Sequence, residues 1–211
     1  MSVPASRARH GGFRRVPFVN DAATRDALRR QLKKARAAVE AATRERAAHA
    51  VADHLAPLLD ELAPRTVAGY AALGGELPIF SALADCRARG RVTLLPALVG
   101  DRLAFSPYDE DTPMRPDRFG IDEPVVDEED RLPPAALDVV LVPLVGFDED
   151  LARLGMGGGF YDRSFAMRRD APAPPHLVGV AFELQRVPSV SPDWCDVPLD
   201  AVVTESGVRR R

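Results

Sequence analysis

The chain has 211 residues, 46% of them hydrophobic, with a net charge of −3 and a pI near 5.8. That is material for one domain with a proper core, and it lacks the basic balance of a general nucleic-acid binder. No stretch approaches the ~20 apolar residues of a membrane span, and Cys86 and Cys195, without CxxC spacing, read as inert thiols of a reducing cytosol.

Residues 1–20 are basic and poor in acids (Arg7, Arg9, Arg14, Arg15) but lack the apolar core of a secretory signal, so a disordered leader is expected. A single domain is expected over residues 21–206, and the basic tail at 207–211 is expected to be solvated. A helical pattern starts at Asp21. Leu28, Leu32, Ala35 and Val39 recur on one face, with Arg25, Arg29 and Arg36 along its flank. These arginines are either stems lying over a core edge or a basic rim aimed at a phosphate or carboxylate. A second helix carries Ala47, Ala48, Val51, Leu55 and Leu58 near one face and ends around Leu62, before Pro64. Residues 66–70 read as a strand. A Gly74-Gly75 turn with Glu76 then leads to a helix over 79–89, stopped by Gly90. Strands are expected at 92–95 and 103–106, and irregular structure at 107–136, which is rich in Pro and Asp. The apolar run at 138–142 has the character of a central parallel strand. A glycine loop follows, then a helix to about Met167 and strands at 177–182 and 201–204. Strands alternating with helices predict an α/β fold: a largely parallel sheet flanked by helices, a Rossmann-like three-layer sandwich. Ligands of such sheets collect beyond the carboxyl ends of the strands, and the glycine loop lies beyond one.

That loop, Arg153-Leu-Gly155-Met-Gly157-Gly158-Gly159-Phe160-Tyr161-Asp162-Arg163, is the most informative segment. Four glycines in five positions let the backbone curl and turn several N–H groups toward one anion. It is neither a Walker A loop nor a dinucleotide fingerprint. A glycine-rich turn between strand and helix is the plain alternative. Against it stand Arg153 before the glycines, an aromatic pair able to stack on a flat ring, a helix start that favours phosphate, and Asp162, a residue type that holds Mg²⁺ alongside phosphate oxygens. Glu76 is either an acceptor for a polar heterocycle or a helix-start glutamate. Asp196 and Asp200 read as loop acids capping turns. Phe119-Gly120-Ile121-Asp122-Glu123-Pro124 is a compact turn, its acids and those at 127–130 most simply a solvated face. The four histidines form no metal-spaced cluster or nucleophile triad.

In this order, these segments resemble the 5-formyltetrahydrofolate cyclo-ligase family over residues 25–204. The most specific piece is the Arg153 to Arg163 segment. Supporting it are Leu28-Arg29, Gly75-Glu76-Leu77, Phe119-Gly120-Ile121 with Glu123-Pro124, and Asp196-Val-Pro-Leu-Asp200-Ala-Val-Val-Thr204. The resemblance implies an ATP- and Mg²⁺-dependent ligase that cyclises 5-formyltetrahydrofolate to 5,10-methenyltetrahydrofolate through a phosphorylated formyl group, releasing ADP and phosphate. A cytoplasmic monomer that binds neither nucleic acid nor membrane is expected. ATP would be bound by Arg25, Asp26, Ala27, Leu28 and Arg29, and by Arg153, Leu154, Gly155, Met156, Gly157, Gly158, Gly159, Phe160 and Tyr161. The folate would meet Glu76, Met156, Gly157, Gly158, Gly159 and Phe160. Asp162 and Asp196 would hold Mg²⁺, with Arg153 and Asp162 as catalytic residues. There are three departures from the family's pattern: Arg25 stands where lysine is usual, Leu151 where a glycine is usual, and Tyr70-Ala71-Ala72-Leu73 matches the substrate wall loosely. A non-catalytic ATP- or folate-binding regulator, or another enzyme on the same fold, is the alternative.

Overall fold

The computed structural model describes residues 22–211. The leader expected at 1–20, and Asp21, lie outside the described residues. Helices α1 (Ala22–Ala37) and α2 (Ala41–Leu62) come first. Strand β1 (Thr66–Ala68), helix α3 (Phe80–Ala88) and strand β2 (Val92–Val99) form the first crossover, and β3 (Arg102–Pro107) turns back along β2. A small hairpin, β4 (Met114–Pro116) with β5 (Asp122–Pro124), occupies part of the region expected to be irregular. Then come β6 (Val139–Pro143), a second hairpin of β7 (Gly146–Phe147) and β8 (Arg153–Leu154), and the short helix α4 (Phe160–Ser164). Strands β9 (His176–Val180), β10 (Ala201–Thr204) and β11 (Gly207–Arg210) complete the chain.

Seven strands form the central sheet in the order β11-β10-β9-β6-β1-β2-β3, parallel from β10 through β2, with an antiparallel strand at each edge. The α/β fold expected from the alternating pattern is therefore present. β6 shows why the sheet is central: Val139 and Leu141 join one core cluster and Val140 and Val142 the other, as the period of two requires. One face is covered by α2 and α3 through Ala47, Val51, Leu55, Leu58, Ala82 and Leu83. The opposite layer is thinner than a full sandwich. It is made of α4, the 3₁₀ turn Ala166–Arg169 and loops, with Phe160, Tyr161, Phe165 and Met167 against the sheet. The helix expected to reach Met167 thus ends at Ser164.

The tail expected to be solvated is edge strand β11. Arg209 pairs with Glu183 at 2.9 Å and Arg210 with Glu61 at 2.6 Å, so the basic residues have partners across two elements. Strand order reverses at β1. The chain moves from β1 to β2 on one side, then returns to β6 on the other and continues outward to β9 and β10. The crevice between the carboxyl ends of β1 and β6 is where such sheets hold ligands.

Candidate active site

A cleft of about 780 Å³ opens at that crevice. Tyr70, Ala71, Leu73 and Glu76 line it from the end of β1, Pro96 to Leu98 from β2, and Pro143 from β6. Gly155 to Asp162 form another wall, closed by Arg25 and Arg29 of α1 and by Asp193, Cys195 and Asp196. The β4–β5 hairpin adds Asp117, Phe119, Ile121, Asp122 and Glu123.

The glycine loop does run from a strand, β8, to a helix, α4, and the β7–β8 hairpin that separates it from β6 delivers Arg153. Asp148, buried, ties that hairpin together. Its Oδ1 accepts N–H bonds from Asp150 (3.1 Å) and Ala152 (3.0 Å), and its Oδ2 one from Val190 (2.7 Å). Two arginines then hold the loop from outside. Arg29 Nε donates to the Gly155 carbonyl (2.9 Å) and Arg163 Nη2 to that of Gly158 (2.8 Å). Gly157 and Gly159 have φ of +100° and +66°, a region that favours glycine, and a Cβ on Gly159 would lie 2.5 Å from Arg163 Nη1. With the carbonyls tied back, none of the N–H groups of residues 155–159 has a protein acceptor among the described residues, although all five residues line the cleft. A five-residue α4 contributes little dipole, so these loop N–H groups carry the attraction for an anion.

Arg153 is buried and bonds to the carboxylate of Asp162, while its Nε is buried with no partner among the described residues. Arg25 donates to the Ser191 carbonyl (2.8 Å) and to Asp196 Oδ2 (3.0 Å), joining α1 to the 191–196 loop. The two aspartates are neighbours, since the Val197 N–H, next to Asp196, donates to Asp162 Oδ1 (3.0 Å). Among the described residues Asp162 uses only Oδ1 in its bonds and Asp196 only Oδ2, which leaves one oxygen on each for a cation. Among the described residues no group of three or more His, Cys, Asp and Glu forms a cage for a metal. Two carboxylates beside a phosphate cradle fit Mg²⁺, which takes one or two carboxylates and completes its shell with phosphate oxygens and water.

Glu76 is buried, and it does not start a helix, since α3 begins at Phe80. It accepts a bond from the Leu73 N–H (3.0 Å) and faces Arg36 at 3.4 Å. Burial raises its pKa above the usual glutamate range, opposed by the Leu73 N–H and by Arg36. Burial also raises the Tyr161 phenol, helped by the charge of Glu76, so Tyr161 stays a proton donor in the cleft. The Tyr70 hydroxyl is turned away, donating to the Leu77 carbonyl (2.9 Å).

Several expected site residues do not reach the cleft. Asp26 is exposed and pairs with Arg29, Ala27 is exposed, and Leu28 packs with Leu32, Val145 and Leu154 in a small core cluster. Leu154 is buried in that same cluster. The aromatic pair separates: Phe160 meets Phe119 edge-on at 5.8 Å and lies under Arg163, whereas Tyr161 stacks on Phe165 at 6.1 Å. The turn at 119–124 was expected to present a solvated face. Instead Glu123 is buried, bonded to the Leu98 N–H (3.2 Å) and to Arg115 (3.2 Å), and the hairpin forms one side of the cleft. Only its apolar Phe119 and Ile121 within an acidic stretch hinted at that wall. Cys195, read as inert, borders the cleft, but no histidine is among the cleft-lining residues.

The sequence profile of the 5-formyltetrahydrofolate cyclo-ligase family matches residues 21–205. The chain belongs to this family. The cyclo-ligase of Haemophilus influenzae is 33% identical over 178 residues, covering 83% of this chain and 94% of that protein. The Escherichia coli cyclo-ligase is 38% identical over 146 residues, 68% of this chain and 79% of that protein. The solution structure of Aquifex aeolicus 5,10-methenyltetrahydrofolate synthetase superposes with a TM-score of 0.75 at 29% identity, covering 88% of this chain and 92% of that one. Membership of the cyclo-ligase family makes the chain an enzyme of the ligase class. No helix among the described residues is long and apolar enough to cross a membrane.

Proposed function

We propose that this chain cyclises 5-formyltetrahydrofolate to 5,10-methenyltetrahydrofolate with conversion of ATP to ADP and phosphate, acting as a cytoplasmic monomer. The observation that carries this reading is the loop 155–159, whose N–H groups have no protein acceptor among the described residues while Arg29 and Arg163 hold the Gly155 and Gly158 carbonyls back. Such a row of donors recognises phosphate. Arg153, with a buried unpartnered Nε, and Arg25 add positive charge beside it. Glu76, on another wall of the same cleft, receives hydrogen bonds from the pterin. Asp162 and Asp196 would hold Mg²⁺, which would supply charge neutralisation for the transferring phosphoryl group.

The formyl oxygen of an amide is a poor leaving group. In the first step it attacks the γ-phosphorus, and the bond from that phosphorus to ADP breaks. Arg153 and the loop N–H groups stabilise charge on the phosphoryl oxygens during this transfer. In the second step the N10 lone pair attacks the activated formyl carbon, the N10 proton departs, and the carbon–oxygen bond breaks to release phosphate and a conjugated cation. The substrate's own geometry keeps N10 close to its target. No protein nucleophile is required.

The test is product formation by purified protein from 5-formyltetrahydrofolate, with and without Mg-ATP, read by the absorbance of the methenyl product. Product that depends strictly on ATP, with one ADP per turnover, supports the proposal. Mg-ATP binding without turnover identifies a non-catalytic regulator, and turnover without nucleotide identifies another enzyme on this fold.

A further inference from the structure

Arg36 is the most deeply buried charged residue of α1, 1% exposed, and it does not line the cleft. The helical pattern put it on the flank of the buried face, with Ala35 inside. In the structure Ala35 is exposed and Arg36 is the inward residue. Its guanidinium reaches four acceptors on two separate segments. Nη1 donates to Glu76 Oε1 (3.4 Å) and the Leu144 carbonyl (3.2 Å), and Nη2 to the carbonyls of Leu73 (3.4 Å) and Gly74 (3.2 Å). Leu144 follows β6 and the 73–76 turn follows β1, so this one side chain joins the two lips of the crevice. The turn is packed against the end of α1 as well. A Cβ on Gly75, whose φ is +85°, would lie 3.3 Å from the Ala37 Cα.

We infer that Arg36 is a positioning residue for the folate: from behind the cleft wall it fixes the direction and the charge of the Glu76 carboxylate. This inference rests on the proposal that Glu76 receives the pterin. The planar fork matters, because a lysine in the same place can offer a point charge but cannot span acceptors on both lips at once. The charge matters because Glu76 is buried. Around it stand Arg36 and Lys33 from α1, Tyr70 beyond β1, Tyr161 of α4, and Arg153 of β8 beyond Tyr161. Arg36 is the only one of these in contact with the carboxylate, so its removal makes Glu76 take up a proton more readily.

The experiment uses the full chain with Arg36→Lys, Arg36→Gln and Glu76→Gln. Circular dichroism and Mg-ATP affinity establish the fold. In Arg36→Lys the KM for 5-formyltetrahydrofolate should rise about tenfold while that for ATP changes by less than about twofold, as expected when one substrate's contact is misplaced. In Arg36→Gln the acid limb of kcat/KM for the folate should move toward neutral pH, because Glu76 has lost its counter-charge. Combined with Glu76→Gln, neither Arg36 variant should cost more than Glu76→Gln alone. Equal loss for both substrates, an unmoved acid limb, or losses that add to those of Glu76→Gln would overturn the inference. If Glu76→Gln itself leaves the folate KM unchanged, the reading of Glu76 fails instead.

Discussion

Replacing Leu151 by glycine sets two effects of opposite sign against each other. Leu151 lies in the turn of the β7–β8 hairpin with φ of 60°, where a branched side chain is strained. Relief of that backbone conformation is worth roughly 1–2 kcal/mol. The Leu151 side chain, however, is 2% exposed and belongs to the core cluster with Leu144, Phe147 and Phe165. Truncating a buried leucine costs about 2–5 kcal/mol through lost transfer and the cavity left behind. Set midpoint against midpoint, packing wins, with a net loss of about 2 kcal/mol. At about 3 °C per kcal/mol for a domain of this size, Tm should fall by roughly 6 °C. Thermal and denaturant unfolding of Leu151→Gly beside the parent chain would measure it. A variant as stable as the parent, or more stable, would refute the reasoning and show that the turn's backbone outweighs the buried side chain.

Three further outcomes follow from the geometry. Arg153→Ala should lower kcat by roughly 10²–10³, the usual cost of losing one donor to developing charge, with the protein still folded; steady-state kinetics check it, and undiminished turnover would remove Arg153 from the chemistry. Asp196→Asn should raise the Mg²⁺ concentration needed for half-maximal rate and leave the folate KM little changed, measured by titrating Mg²⁺ at fixed ATP. Asp148→Ala leaves three backbone N–H groups unpaired at about 1 kcal/mol each, so unfolding should become easier by roughly 3 kcal/mol; calorimetry that finds no change would contradict its role in the hairpin.

The parallel core was legible because β6 is apolar on both faces and because α2 repeats its apolar residues on one face. A short strand buried on both sides and a helix packed on one give those patterns. The short β7–β8 hairpin was not legible. Two-residue strands have no period to detect, and the Asx turn that Asp148 makes with the Asp150 N–H marks a turn without revealing the strands beside it. The edge strand β11 looked like a charged tail because Arg209 and Arg210 are paired with acids far away in sequence. The same blindness hid Arg36: its partners are carbonyls and Glu76, none of them near it in the chain. In the cleft, the Arg153 to Arg163 segment was readable from its own residue types, whereas Asp196, read alone as a turn-capping acid, was joined to it only by the family resemblance. The β4–β5 wall was not, since an acidic hairpin with one buried glutamate has the composition of a solvated loop.

The most direct test of the proposed reaction follows the formyl oxygen itself. With 5-formyltetrahydrofolate carrying a heavy-oxygen label in the formyl group, transfer of the γ-phosphoryl to that oxygen should place one labelled atom in each phosphate released, matching the methenyl product formed. Unlabelled phosphate, with the label appearing in water, would contradict phosphorylation of the formyl group as the step this cleft carries out.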